Sequence, residues 1–357
     1  MRRLIMLVSV VVLILWSVVP ALAGAPEALD WLRARQNADG GFAGDSGGAS
    51  DLSATIEAVF AIVAGGEDPA AWVQGSSTPV NFLESQVGSA LTRPGDNAKL
   101  ILAAVATKRN PRNFGRVDLV SSLEAKLDQS GLYGGAAAGN VFEQSLALLA
   151  LKSAGRPIPA SAVAWLVGLQ LGDGSWSWNG DTTPGSGDSN TTALAVQALV
   201  AVGGQDVAVG KALGYLRGIQ NKDGGFPYQK PSAFGADTDA NSTAYVVQAI
   251  IATGNDPAGA DWAVEGNTPL SALAAHQLKS GAFAWQIATP DANFLATAQA
   301  IPAIEGKAFL GVTGSMEVGE AATPAALPAT GGAWPAWGLI LAAAGLGLSG
   351  AGLALRR

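Results

Sequence analysis

Gln36-Asn37-Ala38-Asp39-Gly40-Gly41-Phe42 recurs along this chain as Gln170-Leu171-Gly172-Asp173-Gly174-Ser175-Trp176 and as Gln220-Asn221-Lys222-Asp223-Gly224-Gly225-Phe226. Each copy reads Gln-x-x-Asp-Gly-x-aromatic and follows a short amphipathic segment, at 28–35, 162–169 and 211–219. Weaker copies stand at Gly131-Leu132-Tyr133-Gly134-Gly135 and Ser280-Gly281-Ala282-Phe283. A further one is expected near Gln86, where the Asp-Gly pair is lost. After each turn comes a stretch rich in Ala, Leu and Val: 51–64, 97–106, 141–154, 190–202, 241–253 and 293–304. Six helix pairs at a period of roughly fifty residues are the mark of a repeat architecture.

The turn has a local explanation. Gly tolerates a left-handed backbone, and the Asp carboxylate reaches the amide two residues on. An Asp, Asn, Ser or Thr ahead of each second segment supplies an N-cap. The second segments carry no charged stripe, as in Thr192-Ala193-Leu194-Ala195-Val196-Gln197-Ala198-Leu199-Val200. A helix apolar on all sides is buried on all sides. The first segments carry Asp30, Arg33 and Arg35, or Lys211 and Arg217, and so face water. An inner ring of apolar helices within an outer amphipathic ring is an all-α, α6/α6 toroid, expected over residues 24–307.

Composition narrows the partners. The chain has 357 residues, no Cys, one His and a formal net charge of −7. Without Cys the fold has no disulfide and rests on its core. The acidic balance argues against nucleic acid, which needs clustered Lys and Arg. Arg2 and Arg3 precede an apolar run over 4–19, and Ala21-Leu22-Ala23 follows, the order of a secretory leader over 1–23. At the other end an apolar stretch over 333–355 is long enough to cross a bilayer, and Arg356-Arg357 resist transfer. Residues 308–326 read as a linker and 327–357 as a membrane-associated tail.

Two resemblances enter on these residues. The repeated turns resemble the QW repeats of the terpenoid cyclase and prenyltransferase (squalene cyclase-like) toroid superfamily, over about 28–304. The likeness implies that Gln36, Asp39, Phe42, Gln170, Asp173, Trp176, Gln220, Asp223 and Phe226 are scaffold parts tying neighbouring outer helices together. Leu327-Pro328-Ala329-Thr330-Gly331, ahead of the apolar stretch and the terminal arginines, resembles the LPXTG cell-wall sorting signal of Gram-positive bacteria. That implies a sortase-type transpeptidase as partner, cutting between Thr330 and Gly331, and a cell-surface address anchored to wall or membrane.

The superfamily's chemistries fit this chain less well than its fold. Prenyltransferases hold zinc with Asp, Cys and His, which a chain with His276 alone and no Cys does not supply. His276 falls on an expected outer helix over 271–278 and reads as a surface residue. No cofactor or metal is expected. The cyclases carry their donor acid in the middle of Asp-x-Asp-Asp-Thr-Ala at the head of an inner helix. Asp239-Ala240-Asn241-Ser242-Thr243-Ala244 and Asp188-Ser189-Asn190-Thr191-Thr192-Ala193 keep the first Asp and the Thr-Ala, with Asn190 or Asn241 at the donor position. An amide does not supply the strong acid that protonating an alkene demands.

What remains is one rim of the ring. The long outer-to-inner connections, 43–50, 177–189 and 227–240, bring Asp45, Asp181, Asp188, Asp237 and Asp239 to it, with Trp178, Tyr228 and Trp285 nearby. Asp188, Asn190, Asp237, Asp239, Asn241, Trp178, Tyr228 and Trp285 are therefore the candidate ligand-binding residues of an acidic, aromatic mouth over the toroid funnel. Asp188 and Asp239 read equally well as helix caps. The first functional reading is a surface-displayed, non-catalytic module binding a small molecule or protein. The alternative is an enzyme, either a cyclase relative or a glycan-active α/α barrel using two rim carboxylates. If a sortase acts on the tail, Thr330→Ala leaves the protein in the membrane fraction. Unchanged release with the wall after muramidase digestion would overturn that.

Overall fold

A computed structural model describes residues 24–315 apart from 46, 136–139 and 233–234. The chain divides into units at Val318, and the second unit, Gly319–Arg357, lies outside the described residues. So do the leader at 1–23, the sorting motif and the apolar tail. Among the described residues no helix is long and apolar enough to cross a membrane.

The elements, in chain order, are α1 (Ala25–Arg33), α2 (Leu52–Ala64), α3 (Pro79–Ser85), α4 (Val87–Ala90), α5 (Pro94–Ala106) and α6 (Leu119–Glu124). They continue with α7 (Val141–Ser153), α8 (Ala160–Gly168), α9 (Ser189–Val202), α10 (Asp206–Ile219), α11 (Ala240–Ala252) and α12 (Pro269–Ala275). An antiparallel hairpin, β1 (Phe283–Gln286) and β2 (Thr289–Asn293), leads into α13 (Phe294–Ile304), and α14 (Phe309–Thr313) ends the described chain. Helices α2, α5, α7, α9, α11 and α13 each pack on the next, and α13 packs back on α2. This is a closed inner ring. The outer helices α1, α3, α6, α8, α10 and α12 lie against it. The expected α/α toroid is the observed architecture, with a small hairpin the helical reading lacked.

In four turns a glutamine closes the joint between repeats, whereas Gln86, where a further copy was expected, donates only to Ser85 Oγ. Gln36 Nε2 donates to Gly40 O in its own turn at 3.0 Å and to Trp72 O, just ahead of α3, at 2.9 Å. Gln170 does the same with Gly174 O and Ala208 O of α10, and Gln220 with Gly224 O and Trp262 O. Gln277, which the sequence reading passed over, bonds Gly281 O and then Gly24 O at 2.7 Å, sealing the last repeat to the first. Around Tyr133 no Gln stands at the usual place, and Gln144 of α7 reaches out to bond Gly131 O and Ala162 O of α8.

The rest of the turn is equally regular. Asp39, Asp173 and Asp223 each accept the peptide N–H two residues on, at 3.0 Å. The aromatic N–H then donates to a threonine hydroxyl one turn into the inner helix: Phe42 to Thr55, Trp176 to Thr192, Phe226 to Thr243 and Phe283 to Thr297. Gly174 has φ +95°, and a Cβ there would sit 2.3 Å from Lys211 O of the next outer helix. Only glycine meets both demands.

Two expectations need correction. Residues 308–313, assigned to a linker, include α14, which packs on α2, α5 and α7 and plugs the ring. Its Phe309 meets Phe60 edge-on and lies beside Tyr245, and its N–H donates to Gln197 Oε1 at 2.9 Å. His276, expected at the surface, is 1 % exposed at the end of α12. The chain doubles back through the hairpin, and Ala284 N–H bonds His276 O, which covers the ring.

Trp176 and Phe226 are fully buried, and Trp176 Nε1 also donates to Leu166 O at 2.7 Å. Trp176→Ala therefore costs about 3–5 kcal/mol, read as a lowered denaturant midpoint. A midpoint equal to wild type would refute the packing role.

Candidate functional site

Counted from each N-cap, the second, sixth and ninth residues of an inner helix fall on one face, because an α-helix turns every 3.6 residues. That face looks down the ring axis in layers. Ser53, Phe142, Asn190, Asn241 and Leu295 form the upper layer at the mouth. Glu57, Lys99, Tyr245 and Gln299 form the middle one. Phe60, Gln248 and Pro302 form the lowest and meet Phe309 of the plug. The two upper layers, with Tyr228 and Trp285 on the rim, line a cavity of about 410 Å³.

The middle layer is a polar chain across half the ring. Lys99 Nζ donates to Glu57 Oε1 at 2.6 Å, and Gln299 Nε2 reaches Glu57 Oε2 at 3.5 Å. Asn241 Nδ2 donates to Gln299 Oε1 at 2.7 Å. Four consecutive helices, α5, α2, α13 and α11, are thereby joined. The sixth residues of the other two, Leu146 and Leu194, are apolar and buried. Burial first, and then the Glu57 charge, push the Tyr245 hydroxyl well above its ordinary pKa, so it stays protonated.

Each rim carboxylate predicted from sequence has a place. Asp188 is 1 % exposed and caps α9, accepting from Thr191 N–H at 2.7 Å. Its Oδ2 has no hydrogen-bond partner of normal geometry. Burial pushes its pKa up to about 6, against the pull of Thr191, the Tyr228 hydroxyl and the Trp178 amide. Asp239 caps α11, bonding the N–H and the hydroxyl of Ser242 at 2.7 and 2.8 Å. Its pKa is also raised by burial, with Ser242 and His276 pulling it back. Asp239 borders the cavity; Asp188 does not. Asp237 is exposed and lies outside the lining.

The aromatic candidates divide similarly. Tyr228 and Trp285 border the cavity, 43 % and 46 % exposed. Trp178, 53 % exposed, stands on the rim outside it. The rim loops hold these rings by their backbones. Trp178 O accepts from Val141 N–H at the head of α7, and Tyr228 O from Ser189 N–H at the head of α9. Phe294 N–H, at the head of α13, donates to Asp45 Oδ1. Each loop thus serves a free helix amide.

Sequence reasoning missed Glu57, Lys99 and Gln299. The available signal was that the last polar residue of each of these three helices stands six places past the N-cap, with only apolar residues after it. Among the described residues no three His, Asp or Glu side chains converge as metal ligands.

No family model matches the chain, and no curated protein matches it. Solved structures do resemble it. A protein from Actinoplanes aligns with a TM-score of 0.57 at 16 % identity, over 79 % of this chain and 98 % of its own. A variant of the type II terpene cyclase MstE from Scytonema, holding its substrate geranylgeranyl dihydroxybenzoate, aligns with a TM-score of 0.57 at 13 % identity, over 79 % and 95 %. A glycosidase aligns with a TM-score of 0.52 at 14 % identity, over 79 % and 94 %. At these identities the likeness is one of fold.

The buried Asp188 carboxyl is harder to ionise in the folded chain than in the unfolded one. Its stabilising share is complete below about pH 4 and is lost as pH rises through about 6. The span is up to about 3 kcal/mol. Asp188→Asn keeps a capping oxygen and should flatten the fall in urea midpoint between pH 4 and pH 7. An unchanged pH profile would show that Asp188 ionises normally.

Proposed function

We propose that the toroid is a non-catalytic binding module displayed outside the cell, with the axial mouth as its ligand site. The observation that carries this reading is the chain Lys99–Glu57–Gln299–Asn241. Asn241 holds the axial position where the cyclase resemblance expects a proton donor, and its amide is bonded to Gln299. Alkene protonation needs a strong acid at that point.

The nearby carboxylates are also engaged. Glu57 is paired with Lys99, while Asp188 and Asp239 accept N–H groups of their own helices. Glycoside hydrolysis would need two carboxyl groups available to give and take protons. The Scytonema cyclase takes geranylgeranyl dihydroxybenzoate as substrate; here a comparable apolar chain would lie against an ion pair. Surface display is supported by the leader-like N-terminus and by the motif over 327–331 with its apolar stretch, and a sortase-type transpeptidase is the partner that fits them.

Purified protein incubated with squalene, and separately with geranylgeranyl dihydroxybenzoate, should return both unchanged by mass spectrometry. A cyclised product formed by the wild-type chain would overturn the non-catalytic reading.

A further inference from the structure

The mouth combines features that select one ligand chemistry. Its volume of about 410 Å³ lies within the usual span of small-ligand sites, about 300–1,000 Å³. Among the described residues the exposed aromatic rings are Trp178, Tyr228 and Trp285, and all three stand on this rim. An exposed large ring costs solubility, and three on one rim mark a contact surface. Behind two of them stand the amides of Asn190 and Asn241. The floor carries both signs of charge, Glu57 and Lys99, paired with each other.

We propose that this mouth binds a neutral saccharide, whose apolar ring faces lie on Tyr228 and Trp285 and whose hydroxyls bond the amides of Asn190 and Asn241. The inference rests on the binding-module reading and adds the class of ligand. Each feature excludes a competitor. A hydrocarbon chain would strip water from the Lys99–Glu57–Gln299–Asn241 chain and return no hydrogen bond. An anion would need a cation in surplus, and Lys99 is already neutralised by Glu57. A cation would need a carboxylate in surplus, and Asp239 is committed to Ser242. A sugar presents C–H faces to aromatic rings and hydroxyls to amides, and leaves the floor's charge balance undisturbed. Beyond its bond to Gln299, Asn241 still offers one N–H and its amide oxygen, and Asn190, whose oxygen accepts from Ser189 Oγ, offers its two N–H groups, matching hydroxyls that both give and take. Phe309 closes the axis below, so ligand enters and leaves by the mouth alone.

The test titrates the purified protein with the neutral hexasaccharides of cellulose, laminarin, starch, chitin and mannan, read by tryptophan fluorescence and calorimetry. At least one should bind saturably. The double variant Tyr228→Ala, Trp285→Ala should weaken that binding about tenfold or more with unchanged circular dichroism, since both rings are exposed. No saturation by any of the five at millimolar concentration, or equal binding by the variant, overturns the proposal. Release of reducing ends from a bound saccharide would sustain the ligand class and overturn the non-catalytic reading instead. Saturation by geranylgeraniol with none of the five bound would overturn the saccharide and leave the binding module standing.

Discussion

The side-chain amide of a glutamine holds five joints of this ring together, at Gln36, Gln144, Gln170, Gln220 and Gln277; near Gln86, whose amide bonds only Ser85 Oγ, the pattern is absent. A primary amide has two N–H donors in a fixed fork, and here one goes to the carbonyl of its own turn and one to a carbonyl of the next repeat. At Gln36 and Gln144 both bonds are buried, so losing the amide there would leave carbonyls without partners, at about 1–3 kcal/mol each. The joint tolerates a change of address but not of chemistry. At Tyr133 the amide comes from Gln144 on the inner helix, and it still bridges a carbonyl of the turn and a carbonyl of the neighbouring outer helix. At Gln277 the neighbour is Gly24, whose N–H also donates back to Gln277 Oε1 at 2.8 Å. That last joint turns a stack of repeats into a closed ring.

Closure fixes everything inside it. With the outer helices pinned at their starts and the aromatic N–H of five turns tied to an inner helix, to a threonine hydroxyl at four and to Gln144 Oε1 at Tyr133, the inner helices are held against rotation about their own axes. The faces at the second, sixth and ninth residues therefore stay aimed at the centre. The rim loops complete the arrangement by giving carbonyls to helix heads, and this anchorage presents Trp178 and Tyr228 to solvent.

The sequence showed the scaffold because its signal is local and repeated. Gln, Asp, Gly and an aromatic within seven residues, three times over, leave little choice of turn. The axial site was hidden for the opposite reason. Glu57, Lys99, Asn241 and Gln299 come from four different repeats, and their relation appears only when inner helices are aligned on their caps. Asp188 and Asp239 were legible as caps or ligands, and burial distinguishes them: Asp188 is sealed in, while Asp239 borders the cavity. His276 looked exposed because its short helix is outer; the hairpin that covers it has no helical periodicity to announce it. Phe309 and α14 escaped notice because five residues make too short a period to read.

The plug gives the ring a direction of loading. Lys307 Nζ bonds Ala64 O at the end of α2, and Ser153 Oγ bonds Gly314 O at the end of α7. The described chain therefore departs from the end of the barrel opposite the mouth. Tension applied through the residues that follow would reach α14 before any helix of the ring. Resistance to that tension would come first from Phe309 wedged against Phe60 and Tyr245, and only then from the glutamine joints.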